Sequence, residues 1–233
     1  MMKEKIIRFM VVGALCALFL VLGFWSWERS RDVEYKDCLD EVIFTANGQE
    51  VQMKDLGFYI LYEEREVENQ AMVYNPDNTK DYWNLHVDGV FIQVQAKDTI
   101  LNMAIHDKLF YQKAVEENLV LDAEEEQRLR NAISDFYMDL LDEQAEKMPA
   151  SDEYIMEAMR QIALAEKYQA KLADEEGKAY ASYQWDGYEY EKWLEKQDVD
   201  VNEKLWDKIT VGDITLTHGA PNYINGHNKK EDE

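Results

Sequence analysis

The chain has 233 residues and a net charge of −23, from 48 acidic against 25 basic side chains, which argues against a nucleic-acid partner because phosphate binding needs clustered Lys and Arg. Its 46% hydrophobic content, with 14 Tyr, 6 Trp and 8 Phe, supports a packed core rather than an acidic disordered tail. Two cysteines, Cys16 and Cys38, are too few for a disulfide framework or a CxxC-type zinc site.

The first element is an uncharged apolar run over residues 9–27, preceded by Lys3, Lys5 and Arg8. Nineteen helical residues reach roughly 30 Å, the depth of a bilayer's hydrocarbon core. The basic flank points to a cytoplasmic start (1–8), so the bulk of the chain is expected outside the cytoplasm, tethered to a cell membrane by a single pass. The run ends in bulky Phe24, Trp25 and Trp27 rather than the small residues of a cleavage site. An uncleaved signal anchor is the preferred reading and a cleaved signal the alternative. Residues 28–41 then read as a charged linker.

Residues 42–46 read as a strand, the Asn47-Gly48 dipeptide as a tight turn and 49–52 as the returning strand. A helix is expected over 54–68, with Leu56, Ile60 and Val67 on one face and Tyr59 beside them. Residues 69–82, which include Asn75-Pro76, read as a loop. Asp98 is expected to cap a second helix running to about residue 118, with Leu101, Ala104, Ile105, Val115 and Leu119 as its main stripe. Met103, Phe110 and Ala114 widen that apolar arc to roughly 200°.

Asp122 and Glu125 form a capping box for a helix expected to reach residue 146. Ser151 caps a fourth, over 152–173. A short helix over 190–196 follows, then a strand-like stretch over 199–216 with a Gly212-Asp213 turn, then a polar tail from 221. The expected architecture of 42–220 is mainly α, with a small antiparallel β element joining its N- and C-terminal segments.

Several of these segments together resemble the N-terminal chaperone module of the SurA-like and PrsA-like foldases. The resemblance rests on the membrane signal, the strand and turn Ile43-Phe-Thr-Ala-Asn47-Gly48-Gln-Glu-Val51 with a helix close behind, and Tyr82-Trp83 with Asp88-Gly89. Lys97-Asp98 leading into a helix, and the run from Ala114 to Glu125 that ends one helix and caps the next, continue the order. Asp198 to Ile209 is similar to that module's return strand. In those foldases a parvulin prolyl-isomerase domain precedes the return strand, whereas residues 174–198 are too few to hold one. The resemblance therefore implies a chaperone scaffold without isomerase activity, and unfolded or secreted polypeptides as partners.

Four histidines, His86, His106, His218 and His227, form no H-E-x-x-H pattern, and His106 is expected on a polar helix side. The acid runs Glu63-Glu64, Glu116-Glu117 and Glu124 to Glu126 read as solvated helix faces. No nucleophile elbow or phosphate loop occurs, so a non-enzyme without cofactor or metal is expected. Phe58, Tyr59, Leu61, Tyr62, Met103 and Phe110 are the candidate client-binding residues, since Met and flat aromatics adapt to varied partners. A structural subunit of an envelope complex and a prolyl-isomerase relative with residual activity are the alternatives. A homo-oligomer stays open.

Overall fold

The computed structural model describes residues 33–219. The apolar run over 9–27, Cys16, His227 and the tail from 221 lie outside the described residues. Among the described residues no helix is long and apolar enough to cross a membrane. The fold is mainly helical, 61% helix against 9% strand, with small antiparallel sheets.

Strand β1 (Val42–Ala46) turns through Asn47 and Gly48 into β2 (Gln49–Gln52). Both turn residues have positive φ, 48° and 77°, as a two-residue hairpin of this kind requires. β1 is the central strand, with β5 (Val199–Val201) on its other side, antiparallel, Phe44 opposite Val201 and Ala46 opposite Val199. The two ends of the domain are thus joined in one sheet. Gln112 ties that sheet to the helices, donating to the Ala46 carbonyl at 2.7 Å and accepting from Asn47 at 3.1 Å.

A 3-10 turn over Met53–Leu56 leads into α1 (Gly57–Tyr74), one turn longer than the sequence pattern implies. Part of the expected loop is therefore helical, including the single turn α2 (Lys80–Trp83). A second hairpin, β3 (His86–Val87) and β4 (Val90–Phe91), bends at Asp88 and Gly89, with φ of 52° and 89°. It feeds straight into α3 (Ile92–Glu116), so Asp98 lies inside that helix rather than capping it. The hairpin fixes the helix start, and Phe91 occupies the cap position.

Asn118, at φ 57°, ends α3: the Leu119 N–H returns to the Ala114 carbonyl at 2.9 Å and the Asn118 N–H to Val115 at 3.0 Å. The expected capping box then forms, with Asp122 accepting from the Glu124 and Glu125 amides at 2.9 Å and Glu125 accepting from the Asp122 amide at 2.7 Å. It starts α4 (Ala123–Met138), which stops eight residues short of the expected end. The chain breaks there and restarts as α5 (Asp142–Glu146), which inserts the fully buried Gln144 into the domain.

α6 (Asp152–Glu175) packs along α3, and α7 (Tyr188–Leu194) and the single turn α8 (Glu203–Trp206) complete the helices of the described residues. Two clusters of buried side chains among the described residues lie between the long helices. One gathers Phe110, Ala114, Ala165, Tyr168 and Tyr190; the other gathers Leu61, Leu129, Phe136, Ile155 and Met159. Beyond β5 the expected strand does not continue. The helical turn Glu203–Trp206 interrupts the extended path, Gly212 (φ 85°) turns the chain again, and the amides of Gly212, Ile214 and Thr215 bond to a buried carboxylate instead of a neighbouring strand.

Candidate functional site

The apolar face of α1 carries two acids. Glu64 is fully buried, and its carboxylate accepts the Gly212, Ile214 and Thr215 amides at 2.5, 3.4 and 2.8 Å and the Thr215 hydroxyl at 2.5 Å. Burial pushes its carboxyl up, and these four hydrogen bonds oppose the shift. One turn on, Glu68 accepts from Trp83 Nε1 at 2.8 Å and pairs with His218 Nε2 at 2.9 Å. Burial raises Glu68 as well, but the bonds from His218, Trp83 and Thr79 outweigh it and hold the carboxyl below its ordinary range.

Gln144 donates to the Leu61 carbonyl at 3.1 Å and to Thr215 Oγ1 at 2.9 Å, and Lys147 reaches the Leu216 carbonyl at 2.7 Å. Gln93 donates to the carbonyls of Val211 and Gly219. Residues 209–219 are therefore strapped across α1 by side chains from α1, α3 and α5. The sequence pattern does not foretell this clasp, because the run Glu63-Glu64 reads as a solvated helix face. The available signal was a glutamate four residues after Ile60 and three before Val67, on the apolar stripe itself.

α1 also borders, through Phe58, a cleft of about 480 Å³ between α4 and α6. Phe58 of α1, Leu129 and Ala132 of α4, and Met159, Ile162 and Ala163 of α6 line it. Ion pairs join the two helices along it. Arg160 meets Glu126 through two bonds of 2.7 and 3.0 Å, and Lys167 meets Glu125 at 2.6 Å and the Val120 carbonyl at 2.9 Å. Each exposed pair contributes about 1 kcal/mol or less, so they set the spacing of the walls more than their stability.

The six expected client-binding residues do not form one surface. Leu61 and Phe110 are fully buried and Tyr59 is 7% exposed, because each packs into the core on the side of its helix facing a neighbour. The Tyr59 hydroxyl donates to Asp107 at 3.1 Å, and burial, followed by that carboxylate, drives its ionisation well above the ordinary range. Met103 is half-buried. Phe58 lines the cleft, and Tyr62 stacks on it at 6.0 Å while remaining 36% exposed. Of the expected set, Phe58 and Tyr62 stand together at accessible surface, joined by the cleft residues of α4 and α6.

His106 is buried rather than on a polar helix side, since α7 and the 3-10 turn Tyr180–Tyr183 cover it. Its Nε2 lies 2.9 Å from the Tyr183 carbonyl, which can only accept, so this nitrogen carries a proton. Its Nδ1 lies 2.7 Å from Asp107 Oδ1. Both ring nitrogens are thereby engaged. Tyr190 stacks edge-on against this ring at 4.7 Å, and its buried hydroxyl has no hydrogen-bond partner.

Among the described residues, no group of three or more His, Cys, Asp or Glu is placed to hold a metal ion. The arrangement in the cleft is one of apolar walls with charged edges, suited to binding side chains. No protein-family model, curated protein or solved structure matches this chain.

Proposed function

We propose that the chain is a membrane-anchored, extracytoplasmic chaperone-like protein of the SurA/PrsA type, tethered through residues 9–27, that holds unfolded or secreted polypeptides without isomerising them. The observation that carries this reading is the α4–α6 cleft, with Phe58, Leu129, Met159 and Ile162 offering apolar surface that a client's side chains would cover. Its volume suits two or three apolar side chains at a time, and Met159 adds an adaptable wall. The strong negative charge elsewhere keeps the loaded protein from associating with itself.

The test is suppression of aggregation of an unfolded secreted protein by the full chain in lipid nanodiscs. Ala132→Trp fills the cleft from an exposed helix position and should abolish the effect while leaving the fold intact. Unslowed aggregation at stoichiometric amounts removes the chaperone reading, and acceleration of proline-limited refolding at catalytic amounts would show retained isomerase activity.

A second reading is a structural subunit of an envelope complex. The ion pairs that fix the spacing of the cleft favour it, since preset walls suit one fixed partner. Crosslinking from position 132 in membranes separates the two: a single adduct supports the subunit, and a broad distribution supports the chaperone.

A further inference from the structure

A separate groove of about 610 Å³ lies where α3, α7 and the start of β5 meet. Ile105, Tyr190 and Leu194 give it apolar lining, and Trp185 stands 36% exposed at its side. Its charged lining residues are Asp186, Glu191 and Glu195, all exposed, and neither Lys nor Arg accompanies them. Among the described residues none of these three carboxylates has an ion pair or a side-chain hydrogen bond. That sets them apart from Glu125, Glu126 and Glu189, each of which has a basic partner.

The groove is built on rigid supports. The Gly187 amide donates to the Gln184 carbonyl at 2.7 Å, closing a turn that carries Trp185 and Asp186 at its centre. A Cβ on Gly187 would lie 2.4 Å from the Ser182 carbonyl oxygen, so only glycine permits this turn to pack as it does. Tyr190 is fixed by Phe110 at 5.7 Å and Trp193 at 6.1 Å. Val199 also lines the groove and opens β5, which among the described residues is an edge strand paired on one side only.

We propose that this groove docks a basic, extended segment of another polypeptide. Its Lys or Arg side chains would meet Asp186, Glu191 and Glu195, one of them over the Trp185 ring, while alternate apolar residues cover Ile105 and Leu194. Charge complementarity selects this occupant: three unpaired acids repel nucleic acid and anionic lipid alike, and a cation beside an exposed indole gains both Coulomb and cation–π energy. An extended segment presents alternate side chains to opposite faces, which matches a groove with an apolar lining and a charged edge.

The test uses the full chain and a fluorescein-labelled peptide of about ten residues that alternates Lys and Val. Binding should quench tryptophan fluorescence and weaken at least about tenfold when Asp186→Asn, Glu191→Gln and Glu195→Gln are combined. Trp185→Ala should weaken it about threefold or more. A matched neutralisation of Asp135, Asp139 and Glu153, exposed acids outside the groove, should leave the affinity within about twofold, as should Ala132→Trp in the other cleft. Equal weakening by both triple variants would reduce the effect to bulk charge and overturn the proposal. So would equal binding of a peptide with Glu in place of Lys, or an unchanged affinity in the groove variant whose circular dichroism shows it folded.

Discussion

Glu64 on the first long helix accepts both the amide and the hydroxyl of Thr215, at 2.8 and 2.5 Å, across 151 residues of chain. One buried carboxylate thereby organises a segment that has no secondary structure of its own. Removing it leaves the amides of Gly212 and Thr215 buried without an acceptor, at about 1–3 kcal/mol each. Glu64→Ala should therefore destabilise the domain by at least about 3 kcal/mol, and Thr215→Val by about 1–2 kcal/mol. Urea unfolding midpoints check both. A loss below about 1 kcal/mol for Glu64→Ala would mean that the segment is held by its apolar residues Ile209, Val211 and Leu216 instead.

Two glutamates on the same helix should titrate with opposite effects on stability. Burial, followed by the charge of Glu66, pushes the Glu63 carboxyl up to about 7 from the ordinary 4.5. A raised value favours the protonated form in the folded state, so its contribution is complete below about 4.5 and disappears as pH rises through about 7. Glu63→Gln should accordingly stabilise the domain at pH 8 by about 1 kcal/mol, after allowance for solvent screening, and change nothing at pH 4. Glu68 runs the other way. Its depressed carboxyl stabilises above the unfolded value of about 4.5 and that gain is lost as pH falls through the folded value. Glu68→Gln should cost stability at pH 7, and the deficit should shrink in acid. Matching pH profiles for the two variants would contradict this assignment.

Tyr190 offers a neutral substitution in the middle of a core. Its ring packs on His106, Phe110 and Trp193, whereas its buried hydroxyl bonds to nothing. Deleting an unsatisfied polar group while keeping the ring removes a desolvation cost without opening a large cavity. Tyr190→Phe should leave stability unchanged or raise it by about 1 kcal/mol, and Tyr190→Ala should cost about 3–5 kcal/mol. A clear loss in Tyr190→Phe would show that a water holds the hydroxyl.

Local chemistry made much of this fold legible. Asn47-Gly48 can form only a few turns, and Asp122 with Glu125 satisfies orphan amides within one helical turn, so both signals survive any tertiary context. Long-range demands were hidden. The start of α3 is set by the hairpin before it, not by Asp98, and α4 stops early so that Gln144 can reach Leu61 and Thr215. Periodicity located the apolar arcs around Leu61 and Phe110 without revealing which neighbours cover them. For the same reason Glu64 reads from sequence as a solvated acid: its donors come from a segment 148–151 residues away.

Gly212 and Gly89 provide a matched pair for separating backbone strain from packing. Both have φ near the left-handed region, at 85° and 89°. A Cβ on Gly89 would meet nothing within 4 Å, whereas one on Gly212 would lie 2.8 and 2.9 Å from the Trp83 ring. Gly89→Ala should therefore cost only the conformational penalty, about 1–2 kcal/mol. Gly212→Ala should cost the same amount plus the displacement of Trp83, which is fully buried, stacks on His218 at 5.3 Å and donates to Glu68. The expected excess is about 1–3 kcal/mol, accompanied by a shift in tryptophan emission in the Gly212 variant alone. Equal costs with unchanged emission would mean that the ring yields freely, and that the close approach of Gly212 to Trp83 is no constraint on how the clasp is seated.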